Sequence, residues 1–191
     1  MAQADTKTQI LDTAEALLQD RGFNAFSYNH IAQPLGVKNA AIHYHFPTKT
    51  DLGVALIERC RARFQQYTDL LEAGEASPVL KFEAYLTLPW RYLRDGGKVC
   101  PLGALEVEFN TLPEEMRLEV IALDQQMRAW LAIALEEGRE QELLHFEGSA
   151  EERAILIAAA LQGALQIARV AGNSAFNTCV RHLKQELGLA N

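Results

Sequence analysis

Residues 27–46 read SYNHIAQPLGVKNAAIHYHF, and the reading of this stretch decides the fold. Ser27 is a side chain that caps helix N-termini, so a short helix is expected over 28–35. Gly36 ends it, because glycine takes the left-handed conformation that closes helices without a Cβ penalty. A second short helix, over 38–45, stops before Pro47, since the residue preceding a proline is pushed out of the α region. Two short helices joined by a tight turn have helix-turn-helix spacing. In that motif the second helix enters the DNA major groove while the first crosses the backbone.

The second helix is then a recognition helix, Lys38 to Phe46. Ile42 and Phe46 are four apart and pack inward, which leaves Asn39, Ala40, His43 and Tyr44 on the outward side. Asn pairs with adenine, His and Tyr reach bases or phosphates, and the small Ala40 admits a thymine methyl. Thr48-Lys49-Thr50-Asp51 has the [ST]-x-x-[DE] form of a capping box and opens a long helix carrying Leu52, Leu56, Cys60, Phe64, Tyr67 and Leu71. Lys49, in its first turn, is placed to meet a phosphate oxygen.

Outward from this core the chain is helical throughout. Ile10, Leu11, Ala14, Leu17 and Leu18 form a stripe that ends at Arg21-Gly22, and Phe23 and Phe26 follow as plugs for the core beneath. Gly74 to Pro78 is a boundary. Five further helices are expected: one from Ser77-Pro78 to Asp95, kinked at Pro89; one from Pro101 to about Asn110; one from Pro113 to about Gln141; one over 150–171 capped by Ser149; and one capped by Ser174 and ending at Leu187. Gly96-Gly97 breaks the chain between the first two. With no period-2 strand pattern, the expectation is an all-α protein of about nine helices. A three-helix head in residues 1–50 would stand on a larger helical bundle in residues 51–191.

Composition bounds the function. The 191 residues carry a net charge of -7, which by itself disfavours nucleic acid. The charge is uneven: residues 1–63 hold seven basic and six acidic side chains, and the remainder holds eleven basic and nineteen acidic. A near-neutral head can still bind phosphate if its few cations converge. No apolar run reaches the ~20 residues that span a bilayer, and the polar start does not read as a signal peptide. Cys60, Cys100 and Cys179, widely spaced and odd in number, form neither a disulfide framework nor a zinc site. A cytoplasmic protein with free thiols is expected. His43 and His45 point in different directions on a helix, so no shared metal is expected, and His30, His145 and His182 are isolated.

Gly22-Phe23, Ser27, Ile31-Ala32, Gly36-Val37, Tyr44-His45-Phe46, Lys49 and Leu52 together resemble the amino-terminal signature of the TetR family, over about residues 7–56. The resemblance implies an all-helical transcriptional regulator, dimeric through its last two helices, with a ligand pocket in the carboxy-terminal bundle. Ligand binding there would move the long fourth helix and spread two reading heads. The DNA-binding set it implies is Ser27, Tyr28, Lys38, Asn39, Ala40, His43, Tyr44 and Lys49. Three positions depart from the family pattern. Lys38 stands where Ser or Thr is usual, Pro34 falls in the last turn of the first short helix, and His43-Tyr44-His45 replaces a tyrosine-led run.

Cys100 precedes Pro101 at an expected helix start, near Lys98, where both the helix terminus and the cation favour thiolate. The run Cys100-Pro101-Leu102-Gly103-Ala104-Leu105-Glu106 resembles a TetR branch that includes cysteine-based sensors of electrophiles or oxidants. The other reading, a small residue that only packs, stays open. Trp90, Arg91, Phe109 and Trp130 are candidate pocket residues for an unknown small-molecule effector, with Glu106 and Glu108 as further polar anchors. Cys60 and Cys179 are expected in the core. For the dimer over about 150–187, Ala154, Ala158, Leu161, Leu165 and Ala168 form one stripe, and Phe176, Val180, Leu183 and Leu187 another; these same residues could instead face the chain's own core. No nucleophile motif, phosphate loop, metal site or cofactor site is read, so an enzyme is not expected. The alternative is a ligand-binding or adaptor protein of the same fold that does not bind DNA.

Overall fold

The computed structural model describes residues 5–94 and 98–189; the Gly96-Gly97 break lies outside them. Among the described residues there are ten α-helices, one 3-10 turn and no strand. The helices are α1 Thr6–Arg21, α2 Tyr28–Leu35, α3 Asn39–His45, α4 Lys49–Ala73, α5 Pro78–Thr87, α6 Trp90–Arg94, α7 Pro101–Val107, α8 Glu114–Glu140, α9 Ala150–Ala171 and α10 Ser174–Glu186; the 3-10 turn is Phe109–Thr111. The all-α expectation holds.

Local chemistry accounts for most boundaries. α1 ends on Gly22 at φ 86°, and α2 ends on Gly36 at φ 65°, both in the left-handed half of φ that favours glycine. Thr48 and Asp51 form the expected capping box: Thr48 N donates to Asp51 Oδ2 at 2.8 Å and Asp51 N to Thr48 Oγ1 at 3.1 Å. Ser149 and Glu152 form the same box before α9. Two expectations need correction. The helix foreseen over 77–95 is not kinked at Pro89 but divided there into α5 and α6, because proline lacks the amide that would continue the ladder. Asn173, not Ser174, holds the N-cap position of α10. Pro34, by contrast, leaves α2 unbroken to Leu35.

The chain groups into two compact units, Met1–Arg63 with Pro101–Leu123, and Phe64–Cys100 with Asp124–Asn191. In the first, Ile10, Ala14 and Leu18 of α1 share a buried core with Phe23, Phe26, Ile31, Ile42, Phe46, Leu52 and Met116. Each such aliphatic or aromatic side chain is worth roughly 1.5–3 kcal/mol when fully buried. Gly53 of α4 lies so close to Met116 that a Cβ there would stand 2.5 Å from Met116 Cε. In the second unit, Phe64, Phe82, Leu86, Leu131, Leu135, Ile157, Leu161 and Phe176 form the core, and His145 N donates to Leu187 O at 3.1 Å.

α9 is long and apolar enough to cross a membrane by length and composition, which corrects the reading that no such run exists. Ala154, Ile157, Leu161, Leu165 and Ala168 bury one of its faces in the second unit's core.

Candidate nucleic-acid interface

α3 is short, so its face is set by what it buries. Ile42 is 0% exposed and Phe46, just past its end, is 3% exposed. Asn39, Ala40 and His43 are exposed, and Tyr44 is 84% exposed. A tyrosine this open on a helix whose neighbours bury two apolar anchors is available to a partner. Its ring meets His45 edge-on at 5.1 Å. Lys38 is exposed at the N-cap of α3 and its side chain makes no capping bond there, so the loss of a Ser or Thr cap is real.

The first helix of the pair starts with an unusual cap. Ser27 N donates to Nδ1 of His30 at 3.0 Å, with His30 in the place that Glu or Gln usually takes. Ser27 and His30 are both exposed.

Two residues read as DNA contacts turn inward. Tyr28 is only 8% exposed, and its hydroxyl lies 2.7 Å from Phe46 O and also reaches Thr48 O, so its one proton serves the α3–α4 joint. Burial, and next the charge of Asp51, push its phenol up to about 12. Lys49 is half-buried. Its Nζ donates to Phe23 O at 2.6 Å and lies over the rings of Phe23 and Phe26 at 4.5 and 4.7 Å. Burial lowers its pKa, opposed by the charge of Glu108. Lys49, read as a phosphate contact, thus bonds to a carbonyl inside the first unit.

Glu108, read as a ligand anchor, also has another task. Its Oε2 accepts from Phe23 N at 2.7 Å and from Asn24 N at 3.2 Å, while Asn24 Nδ2 donates to Thr111 Oγ1 at 2.7 Å. The segment after α7 thus clamps the α1–α2 turn, within the first unit. The three arginines of α4 are likewise engaged: Arg59 with Asp12 and Glu15, Arg61 with Glu119, and Arg63 with Glu15.

The effector candidates divide between the two units. Trp90, Cys100 and Trp130 pack against the second unit's core, where Trp90 meets Phe176 edge-on at 5.4 Å and Trp130 meets Phe64 at 5.9 Å. Phe109 belongs to the first unit, in the 3-10 turn. Arg91 is exposed, with its guanidinium against the Tyr92 ring at 5.1 Å, and Glu106 is exposed. Cys100 is half-buried and is the last residue of the second unit before the chain re-enters the first. Cys60 and Cys179 are half-buried; burial, then Glu186, raises the Cys179 pKa. The stripes read as a dimer seam are mostly internal: Ala154, Leu161, Leu165, Ala168, Phe176 and Leu187 are buried in the chain's own core. The open apolar residues of α9 are Ile155, Leu156, Ile167 and Val170.

This arrangement matches known proteins along most of the chain. Residues 10–56 match the family described as bacterial regulatory proteins, tetR family, and residues 81–183 match the tetracyclin repressor-like, C-terminal domain. The HTH-type transcriptional repressor NemR of Escherichia coli K12 is 31% identical over 166 residues, 84% of this chain and 82% of NemR. A TetR family transcriptional regulator from Agrobacterium tumefaciens superposes with a TM-score of 0.89 at 32% identity, over 95% of this chain and 96% of its own. The reduced form of E. coli NemR superposes at 0.80 with 28% identity, over 96% and 97%. The exposed face of α3, the two family matches and these relatives agree: the chain belongs to the TetR family of DNA-binding transcriptional regulators.

Proposed function

We propose that this protein is a one-component repressor, not an enzyme, that binds a pseudo-palindromic operator as a homodimer. It is released when a small molecule binds, or a thiol is modified, in its carboxy-terminal part. DNA reading falls to residues 1–50, and effector binding and dimerisation to residues 51–191. The observation that carries the reading is the two-sided α3: Ile42 and Phe46 are buried, and Asn39, Ala40, His43 and Tyr44 stand open as a groove-reading face. Lys38 and the exposed start of α2, Ser27 with His30, supply backbone contacts. Tyr28 and Lys49 hold the two helices in place from behind.

Dimerisation through α9 and α10 is supported by the open face of Ile155, Leu156, Ile167 and Val170 on α9. Gly163 lies among them, with nothing within 4 Å of where its Cβ would stand, so a second helix can approach closely. That face, rather than the stripe of Ala154 and Leu161, is the dimer surface. The same burial of α9's other side in the core supports a protein of the cytoplasm rather than the membrane. Cys100 is the sensor thiol in this reading, and the solution of NemR in a form named reduced suits a regulator whose thiol state matters.

Selection of bound duplexes from a random pool by the purified protein, at fixed salt, tests the reading. An enriched inverted repeat is expected. Weak, salt-sensitive binding without enrichment would overturn it in favour of an adaptor or ligand-binding protein of this fold.

A further inference from the structure

We propose that His43 reads an amino group on a base edge, adenine N6 or cytosine N4, through Nε2 acting as a hydrogen-bond acceptor. This rests on the operator-binding reading above. His43 Nδ1 lies 3.1 Å from Pro47 O. A carbonyl oxygen only accepts, so Nδ1 carries the hydrogen. In a neutral imidazole the other nitrogen then has a lone pair and no hydrogen.

The ring has little freedom to change this. Besides the Pro47 bond it meets the Tyr28 ring edge-on at 4.7 Å. Tyr28 is fixed in turn by its hydroxyl at Phe46 O and Thr48 O. Tyr28 of α2 and the Pro47 carbonyl between α3 and α4 thus border one edge of an exposed imidazole. The nitrogen they leave is on the residue one helical turn after Asn39, on the outward face of α3.

The polarity of that nitrogen selects its partner. Phosphate oxygens only accept, and so do guanine N7 and O6 and thymine O4. The donors that base edges present in the major groove are adenine N6 and cytosine N4. An acceptor at this position is therefore matched to A or C and unmatched to the DNA backbone. His30 shows that the preference is not a property of histidine as such: its Nδ1 accepts from Ser27 N, which leaves the hydrogen on Nε2 and makes its open nitrogen a donor.

The test compares the full-length wild-type protein with His43→Phe and His43→Arg in selection from random duplexes, with thermal melts to establish folding. The wild type should enrich an inverted repeat with A or C at one position of each half-site. His43→Phe should lose preference at that position alone, and His43→Arg, which only donates, should shift it to G. With the wild-type protein, a duplex carrying a base analogue without the amino group at that position should bind about five- to tenfold more weakly, the scale of one hydrogen bond. This last arm decides the matter if either variant fails to fold. Unchanged base preference in both variants, or full affinity for the analogue, would overturn the role of His43 while leaving operator binding intact. Absence of any repeat for the wild type would remove the operator reading and this one with it.

Discussion

The clamp of Glu108 on the α1–α2 turn gives the sharpest test of how the head is held. In Glu108→Ala the amides of Phe23 and Asn24 lose their carboxylate acceptor, which now stands 2.7 and 3.2 Å from them. Hydrogen bonds to a charged group contribute roughly 1.5–3 kcal/mol each when shielded from water. Asn24 N is exposed, so water replaces its partner at little cost; Phe23 N is partly buried, and most of the loss falls there. The sum is about 2 kcal/mol. Glu108→Gln keeps one acceptor oxygen in place and removes the charge, so about half that loss is expected.

Urea unfolding followed by far-UV circular dichroism, at one protein concentration, measures the total, because a dimer's apparent stability moves with concentration. Hydrogen exchange localises it: the Phe23 and Asn24 amides should exchange up to roughly 30-fold faster in Glu108→Ala, the factor that about 2 kcal/mol implies. Gly22 adds a cross-check. It sits at φ 86°, and a Cβ on it would fall 2.5 Å from Glu108 Oε1. Gly22→Ala and Glu108→Ala should therefore cost less together than separately, since removing the carboxylate removes the clash. A loss below about 0.5 kcal/mol for Glu108→Ala, the level of an ordinary surface change, would refute the clamp.

Three other outcomes are expected. Tyr28→Phe should cost about 1 kcal/mol by leaving the α3–α4 carbonyls without their donor. Because the folded phenol is raised from 10.0 to about 12, its contribution is fully present below pH 10 and is lost as pH rises towards 12. Urea midpoints between pH 9 and 11.5 should fall more steeply in the wild type than in Tyr28→Phe, and equal slopes would contradict the assignment. Lys49→Ala should lower head stability by about 1–2 kcal/mol through loss of the Phe23 carbonyl bond and the two ring contacts, while leaving the salt slope of DNA binding unchanged. A slope reduced by about one would return Lys49 to a phosphate. Cys179, its pKa raised by burial, should be alkylated at neutral pH more slowly in the folded protein than in the unfolded chain; equal rates would count against a shielded thiol.

The sequence by itself determined those features that depend on a few neighbouring residues. The bounds of α2, 28–35, and of α9, 150–171, follow from Ser27 and Gly36, and from the Ser149–Glu152 box and Gly172, all within a turn of the helix ends. The inward pair Ile42 and Phe46 and the outward set Asn39, Ala40, His43 and Tyr44 follow from helical period alone. Even the division at Pro89 was marked in the sequence, by a residue with no amide to continue the helical ladder.

Tertiary structure decided which polar atoms are available. Tyr28 and Lys49 lie where a groove-reading motif suggests contacts, but their partners, Phe46 O, Thr48 O and Phe23 O, are backbone carbonyls that no side-chain pattern announces. Glu108 meets amides 84 and 85 residues away, a pairing that local spacing cannot encode. On α9 the reason is different: Ala154 and Leu161 face the core while Ile155, Leu156, Ile167 and Val170 stay open. A helix apolar on both sides carries no contrast between them, so only the packing of its neighbours chooses which face is buried.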